Sequence, residues 1–268
     1  MIIDTHTHIN TPYGGKILTA EDLLDDMKKA NVNYALVFAL EFSQLDGIIT
    51  TEELIETLKP HRNLFPIGTV SPFSFTRERQ QQIESLLKND TLKGIKLYLG
   101  YEHFYPNDER LDSLYEMCSK FGKPIIYHTG FFWDPGKKGL IKYAQPLAVD
   151  DVATRFPNLK IVIAHMGNPW LTDCAVVAQK NENVYVDVSG YFVEFQPIQK
   201  EEIQHFIEDV KTFFKLTGSY RKLLFASDWP LYALKEYVDA AKLLPLSNED
   251  KEWFFWKNAA TIFNLPVE

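Results

Sequence analysis

Six residues of this chain could together handle a metal ion and a water molecule: His6, His8, Lys96, His128, His165 and Asp228. His6 and His8 form an HxH pair. Residues i and i+2 of a β-strand point to one face, so both imidazoles can reach one ion. Neutral imidazole is the commonest protein metal ligand, and zinc suits mixed nitrogen and oxygen donors. Alone, an HxH pair is a weak signal, because many such pairs are surface histidines. Here it gains weight from the other positions. His128, in Pro-Ile-Ile-Tyr-His-Thr-Gly, is the natural third ligand. Asp228 ends Leu-Leu-Phe-Ala-Ser-Asp-Trp-Pro, where a carboxylate is costly unless it meets a metal or a hydrogen-bond donor. It can be a fourth ligand and also take a proton from a metal-activated water. Its plain structural use would be to cap the next helix.

His165, in Ile-Val-Ile-Ala-His-Met-Gly, either binds a second metal or stays unligated as a general acid, base or electrophile. Lys96, in Gly-Ile-Lys-Leu-Tyr, is the most ambiguous residue. Carboxylated, it would bridge two metals. As an ammonium it would meet a substrate carboxylate or form a structural ion pair. His61 and His205 fall in or beside helical segments and read as solvated. His103 follows the fourth apolar run and could line a pocket.

These residues share a position. Short apolar runs recur at 2–6, 34–39, 64–70, 94–98, 124–128, 160–165, 184–188 and 223–228, and the polar residues close five of them. Runs this short and this rich in Ile, Val, Leu, Phe and Tyr fit strands buried on both faces, as in a parallel sheet. The segments between them are amphipathic. Leu111, Leu114, Tyr115, Cys118 and Phe121 share one helical face, with Gly122 placed to end the helix. Thr19 and Asp22 make a capping pair before Leu23. Segments 77–88, 144–156, 171–180 and 249–263 are further helices. Eight strands alternating with about eight helices imply right-handed crossovers and a single (β/α)₈ TIM barrel over residues 1–268. An open doubly wound sheet would show a Gly-rich turn after the first strand; here that strand ends in histidines. In a barrel, all the carboxyl ends converge on one mouth, where active sites sit.

The formal net charge of −8 sets phosphate-rich partners such as nucleic acid aside, and a small-molecule substrate remains. No apolar run is long enough to span a bilayer, and the N-terminus lacks the pattern of a signal peptide. Cys118 and Cys174 are not in a CxxC pair and read as buried, reduced thiols, which suits the cytoplasm. Aromatic residues gather after the strands: Tyr98, Tyr101, Phe104 and Tyr105; Phe131, Phe132 and Trp133; Trp170; Tyr191 and Phe192; Trp229. Most would pack the barrel rim. Several could form a ring-binding pocket, and exposed ones would suit a homodimer.

The motifs Asp-Thr-His-Thr-His, Gly-Ile-Lys-Leu-Tyr, Tyr-His-Thr-Gly, Ala-His-Met-Gly and Ala-Ser-Asp-Trp-Pro, in this order, resemble the amidohydrolase superfamily. The resemblance is to the amidohydrolase-related branch that includes aminocarboxymuconate semialdehyde decarboxylase. It runs from residue 2 to residue 265 and includes the closing segment Asn258 to Leu265. It implies a (β/α)₈ barrel with one or two divalent metals. His6, His8, His128 and Asp228 match the branch's ligands. His165 matches a histidine that stays free in mononuclear members. Lys96 matches a lysine carboxylated in binuclear members such as dihydroorotases, though many members of this branch keep it without a second metal. One ion, zinc, is therefore expected, with a second metal on carboxylated Lys96 as the variant. Asn168 departs from the pattern, standing where many relatives have a second glycine.

The expected reaction is hydrolysis of an amide, a lactone or another ester. The metal would lower the pKa of a bound water toward ~7. Asp228 would carry the proton, and His165 would act on the substrate carbonyl. The alternative on the same site is non-oxidative decarboxylation of a cyclic or unsaturated acid, which needs a cation for the carboxylate. Arg77, Arg79 and Arg110 are the nearest candidates in sequence, and each could equally be solvated. A non-catalytic binding barrel would lack one of these groups, yet every position is filled.

Overall fold

The computed structural model describes residues 1–10, 12–13, 16–41, 49–131, 138–192 and 195–267. Phe132 and Trp133 lie outside the described residues. Eight parallel strands form one sheet in chain order: β1 (Ile3–Thr7), β2 (Tyr34–Phe38), β3 (Leu64–Thr69), β4 (Ile95–Leu97), β5 (Ile125–Tyr127), β6 (Ile161–Ile163), β7 (Val184–Asp187) and β8 (Leu223–Leu224). The segment after β8 returns to β1. Thr5 N–H donates to Phe225 O at 3.1 Å, Asp228 N–H to His6 O at 2.9 Å, and His8 N–H to Trp229 O at 2.7 Å. With the parallel bridge between Thr7 and Trp229, these bonds close the barrel.

The helices between strands are α1 (Ala20–Ala30), α2 (Thr51–Leu58), α3 (Arg77–Lys88), α4 (Asp112–Phe121), α5 (Val149–Arg155), α6 (Leu171–Lys180), α7 (Lys200–Thr217) and α8 (Leu234–Lys242). The Thr19–Asp22 capping box is formed, and Gly122 ends α4 at φ 64°, as their residue types require. The expected last helix is interrupted: α9 (Asn248–Glu252) and α10 (Asn258–Phe263) flank a π turn over Trp253–Lys257.

Strand alternation sorts the side chains into two layers. Ala35, Val37, Ile125, Tyr127, Ile161 and Ile163 face the helices. Leu36, Phe38, Phe65, Ile67, Ile126 and Val162 fill the barrel interior. Ala259, Ile262, Phe263 and Leu265 join that inner cluster, so the α10 region plugs the barrel's base and leaves the carboxyl-end mouth as the place for chemistry. The strand β8 is shorter than the apolar run 223–228 suggests. Phe225 N–H donates at 3.0 Å to Phe254 O in the π turn, which withdraws it from regular pairing.

Candidate active site

The inward positions lead directly to the polar residues. Two residues beyond Ile126 comes His128. Leu224, Ala226 and Asp228 follow the same alternation. Lys96 lies inward between Ile95 and Leu97. On β1 the simple alternation would fail. Ile3 faces inward, so Thr5 and Thr7 should share its face, and His6 and His8 should face the helices. The register prevents this: Asp4 pairs with Ala35 but Thr7 with Val37, so three steps on β1 match two on β2. The extra residue is a β-bulge, which re-aims the side chains beyond it. The His6 and His8 rings then meet the inward Phe38 ring at 4.2 and 5.7 Å. Thr5 Oγ1 donates to Phe225 O and Thr7 Oγ1 to Leu36 O instead.

His165 and Asp228 are turned by backbone strain. His165 lies at φ 63° and Met166 at φ 52°, ahead of Gly167 at φ 68°; Asp228 lies at φ 63°. Non-glycine residues in this left-handed region are costly and cluster at functional sites.

Three predicted ligands come together. His8 Nε2 lies 3.3 Å and His6 Nε2 3.6 Å from Asp228 Oδ1. All three donors lie within 4.8 Å of one another, and all three residues are buried. Ligands ~2.0–2.1 Å from a tetrahedral zinc stand about 3.4 Å apart, so this donor set fits a divalent ion in type and spacing. His128 is not one of those three atoms. Its Nδ1 is 3.0 Å from His165 Nε2, and the Tyr101 ring packs 4.9 Å from it. Lys96, fully buried, points its Nζ at His6 Nε2 from 3.4 Å, the lone pair that a metal would use. Phe38 and Tyr98 present ring faces to the same ammonium at 5.2 and 5.5 Å.

Two residues of the site, Asp187 and Ser189, are not apparent from the sequence. Asp187, at the end of β7, is buried behind the histidines. It stands two residues beyond Tyr185, which packs on the inner layer, and therefore faces inward. His6 Nδ1 lies 3.1 Å from its Oδ2. Its Oδ1 accepts from His165 N–H at 3.0 Å, Ser189 N–H at 3.0 Å and Ser189 Oγ at 2.5 Å. Ser189 Oγ also touches His165 Nδ1 at 2.9 Å and His6 Nδ1 at 3.2 Å. His6, His165 and Asp187 thus form a second close group whose polar atoms are already paired through Ser189.

The electrostatics separate these groups. Burial, then the Lys96 charge, pushes His6 down to about 3. Burial also lowers His128 and His165. It brings Lys96 down to about 8 against the pull of Asp187 and Asp228. For Asp228, burial acts upward but is outweighed by His6 and the hydrogen bond from His8, which hold the carboxyl well below the usual range. Asp187 behaves likewise, with His6 the main opposing partner. Neutral imidazoles facing ionised carboxylates are the protonation states that metal ligation needs.

The other candidates lie elsewhere. His61 is 3.7 Å from Glu21, and exposed His103 faces Lys138 O at 3.1 Å. Arg79 pairs with Glu41 and Glu52; Arg110 pairs with Asp108 and covers the Phe73 ring. Tyr98, Phe104, Phe192 and Trp229 are buried packing residues, whereas Tyr105 and Phe131 are exposed. Asn168 presses its backbone on Gly130, where a Cβ would collide with Asn168 O. Both cysteines are buried, and burial pushes both thiols up.

A parallel eight-stranded barrel with a buried histidine and aspartate cluster at its mouth defines a TIM barrel whose mouth could hold a metal ion. The chain belongs to the amidohydrolase family, matching it over residues 3–265. No curated protein sequence matches the chain. Among solved structures, it is similar to a probable 2-pyrone-4,6-dicarboxylic acid hydrolase from Acinetobacter baumannii with citric acid bound (TM-score 0.72, 16% identity, 98% of this chain and 99% of that one). An amidohydrolase from Burkholderia multivorans with bound zinc is similar at TM-score 0.74 and 15% identity, over 99% of this chain and 100% of that one. So is 5-carboxyvanillate decarboxylase from Novosphingobium aromaticivorans, complexed with manganese and 4-hydroxy-3-methoxy-5-nitrobenzoic acid (TM-score 0.73, 16% identity, 99% and 96%). At these identities the likeness establishes the shared barrel. No helix among the described residues is long and apolar enough to cross a membrane.

Proposed function

We propose that this chain is a metal-dependent hydrolase that opens an amide, a lactone or another ester of a small cyclic molecule. His6, His8, His128 and Asp228 would hold one divalent ion, zinc in the first instance. The observation that carries this reading is the buried cluster of His6, His8 and Asp228, one ligand atom from each lying within 4.8 Å of the others. When bound, such an ion supplies Lewis acidity and lowers the pKa of water toward ~7. Asp228, kept ionised, takes a proton from water as its oxygen attacks the substrate carbonyl carbon. It returns that proton to the departing oxygen or nitrogen as the scissile bond breaks. His165, buried and neutral, is the second proton-handling group. Exposed Phe73, Tyr105 and Phe131 on the carboxyl-end loops suit a ring substrate, or a homodimer contact. Two buried thiols suit a reducing cytoplasm.

One observation favours the alternative, decarboxylation of a cyclic or unsaturated acid. Buried Lys96 is a cation beside His6 that could receive a carboxylate. Against it, Arg79 and Arg110 are engaged with acids. A panel of lactones, esters, amides and aromatic carboxylic acids, assayed with zinc or manganese, separates the two. Turnover of a lactone, ester or amide with no carbon dioxide release is expected. Carbon dioxide release with no hydrolysis would overturn hydrolysis in favour of decarboxylation.

A further inference from the structure

We infer that Asp187 and Ser189 are positioning residues that set which nitrogen carries the proton on His6, His165 and His128. The available protons can be counted one by one. Ser189 has one hydroxyl proton and two lone pairs. Its Oγ lies 2.5 Å from Asp187 Oδ1, an oxygen that already accepts from the His165 and Ser189 N–H groups and so carries no proton to give. The hydroxyl therefore donates to Asp187. Toward His165 Nδ1 at 2.9 Å and His6 Nδ1 at 3.2 Å, the same oxygen can only accept. Both imidazoles must carry their proton on Nδ1.

The neutral rings are then fixed in turn. His6 shares its Nδ1–H between Asp187 Oδ2 and Ser189 Oγ, which leaves Nε2 unprotonated. The Lys96 ammonium, 3.4 Å away, donates to that nitrogen, as this tautomer requires. His165 likewise has an unprotonated Nε2. His128 Nδ1, 3.0 Å from it, must then be the donor, so the Nε2 of His128 is unprotonated too. A single carboxylate at the end of β7 thus prepares two of the four proposed ligands for ligation, one directly and one through Ser189 and His165. It also makes His165 Nε2 a proton acceptor, so His165 serves as a base rather than as a donor to an oxyanion. Outer groups of this kind fix ligand tautomers in metal sites generally. His8 differs: its Nδ1 has no hydrogen-bond partner among the described residues, and its Nε2 faces Asp228 Oδ1 at 3.3 Å.

The two residues make separable predictions. In Asp187→Asn the amide oxygen stays where three donors meet: His165 N–H, Ser189 N–H and the Ser189 hydroxyl. Its NH₂ then points at His6 Nδ1, which must accept, and the His6 proton moves to Nε2. His165 and His128 keep theirs on Nδ1. In Ser189→Ala the reverse holds. His6 stays fixed by Asp187, while His165 and His128 lose their fixed tautomer.

The importance of this order for function rests on the proposed metal site, but its test does not. Long-range proton–nitrogen spectra of nitrogen-15 histidine-labelled, metal-free protein near neutral pH report each tautomer directly, with assignments from single-histidine substitutions. The parent should show Nδ1–H on His6, His128 and His165, and Nε2–H on His8. Asp187→Asn should move His6 alone, and Ser189→Ala should move only His165 and His128. Zinc affinity, by chelator competition, should fall 10–100-fold in both variants. An Nε2–H tautomer on His6 or His165 in the parent would overturn the inference, even if neither variant folds. The parent pattern persisting in both variants would overturn it too. The predicted tautomers in a protein that binds no metal would sink the metal reading alone.

Discussion

Two buried aspartates flank the histidines, and each is tied to a serine, yet they ionise in opposite directions. Asp4 accepts from Ser227 N–H at 3.0 Å, Ser227 Oγ at 2.5 Å and His6 N–H at 3.2 Å. Asp187 accepts from Ser189 N–H, Ser189 Oγ and His165 N–H in the same way. Asp187 alone adds an imidazole nitrogen and the nearby Lys96 charge. Burial therefore prevails at Asp4 and raises it to about 7, while at Asp187 the His6 and His165 imidazoles and Lys96 prevail and lower it. Three dipolar donors alone leave burial dominant at Asp4; the added imidazole hydrogen bond and the Lys96 charge reverse it at Asp187. Asp4 ties the β1 bulge to the backbone before Asp228. Asp187 governs the imidazoles.

The sharpest test of this contrast is Asp187→Ala. It strands three buried donors, each worth ~1–3 kcal/mol when unsatisfied, and leaves His6 Nδ1–H only its 3.2 Å contact to Ser189 Oγ. A loss of about 3 kcal/mol or more is expected in chemical denaturation. Asp4→Ala strands three donors but breaks no imidazole bond, and should lose less; equal losses would dissolve the distinction. Next comes Gly190→Ala. Its Cβ would lie 2.7 Å from His165 Nδ1, at a residue with φ 62°. Displacing the His165 ring should cut turnover at saturating metal about 10–100-fold, by analogy with other misplaced catalytic groups, while one ion per chain still binds at saturation. Lost metal with normal turnover per remaining ion would reverse the roles given to His165 and the ligands.

Lys96→Met asks which ion count is right. The ammonium competes for the His6 lone pair, so its removal should tighten zinc binding a few-fold, roughly 1 kcal/mol. A fall of about tenfold or more would point to a carboxylated, bridging lysine. The smallest effect is the pH dependence of Asp4, read in metal-free protein. Its folded pKa of about 7 lies above its ordinary value of 3.8. Between those values the folded state holds a proton that the unfolded state has released. Stability from this group is therefore complete below about 3.8 and is lost as pH rises through about 7. Asp4→Asn removes the titration. Its melting temperature should gain on the parent as pH rises through that window; a gap that narrows would contradict the raised pKa.

Much of this is legible in the residues. His6, His8, Lys96, His128, His165 and Asp228 stand at the carboxyl ends of apolar runs, and the barrel gathers those ends. Helix boundaries such as 77–88 and 171–180 follow from periodicity. Other features depend on contacts between distant segments. The β1 bulge is set by pairing with β2, and no side-chain period announces it. The shortening of β8 depends on Phe254, far along the chain. Asp187 escapes notice for a different reason. In Asn-Val-Tyr-Val-Asp-Val-Ser-Gly the valine after it extends the apolar run and hides the strand end. Its signal is the turn-forming Ser-Gly just beyond, together with the i+2 relation to Tyr185. His128 reads as a ligand from its position, but its link to His165 is visible only in three dimensions.

The central claim is that His6, His8 and Asp228 are the heart of a metal centre. Elemental analysis of the purified parent, beside His6→Ala and Asp228→Asn, tests it most directly. About one divalent ion per chain is expected in the parent, with little retained by either variant. A parent that neither carries nor takes up a divalent ion in stoichiometric amount, or variants that retain it as the parent does, would contradict that claim.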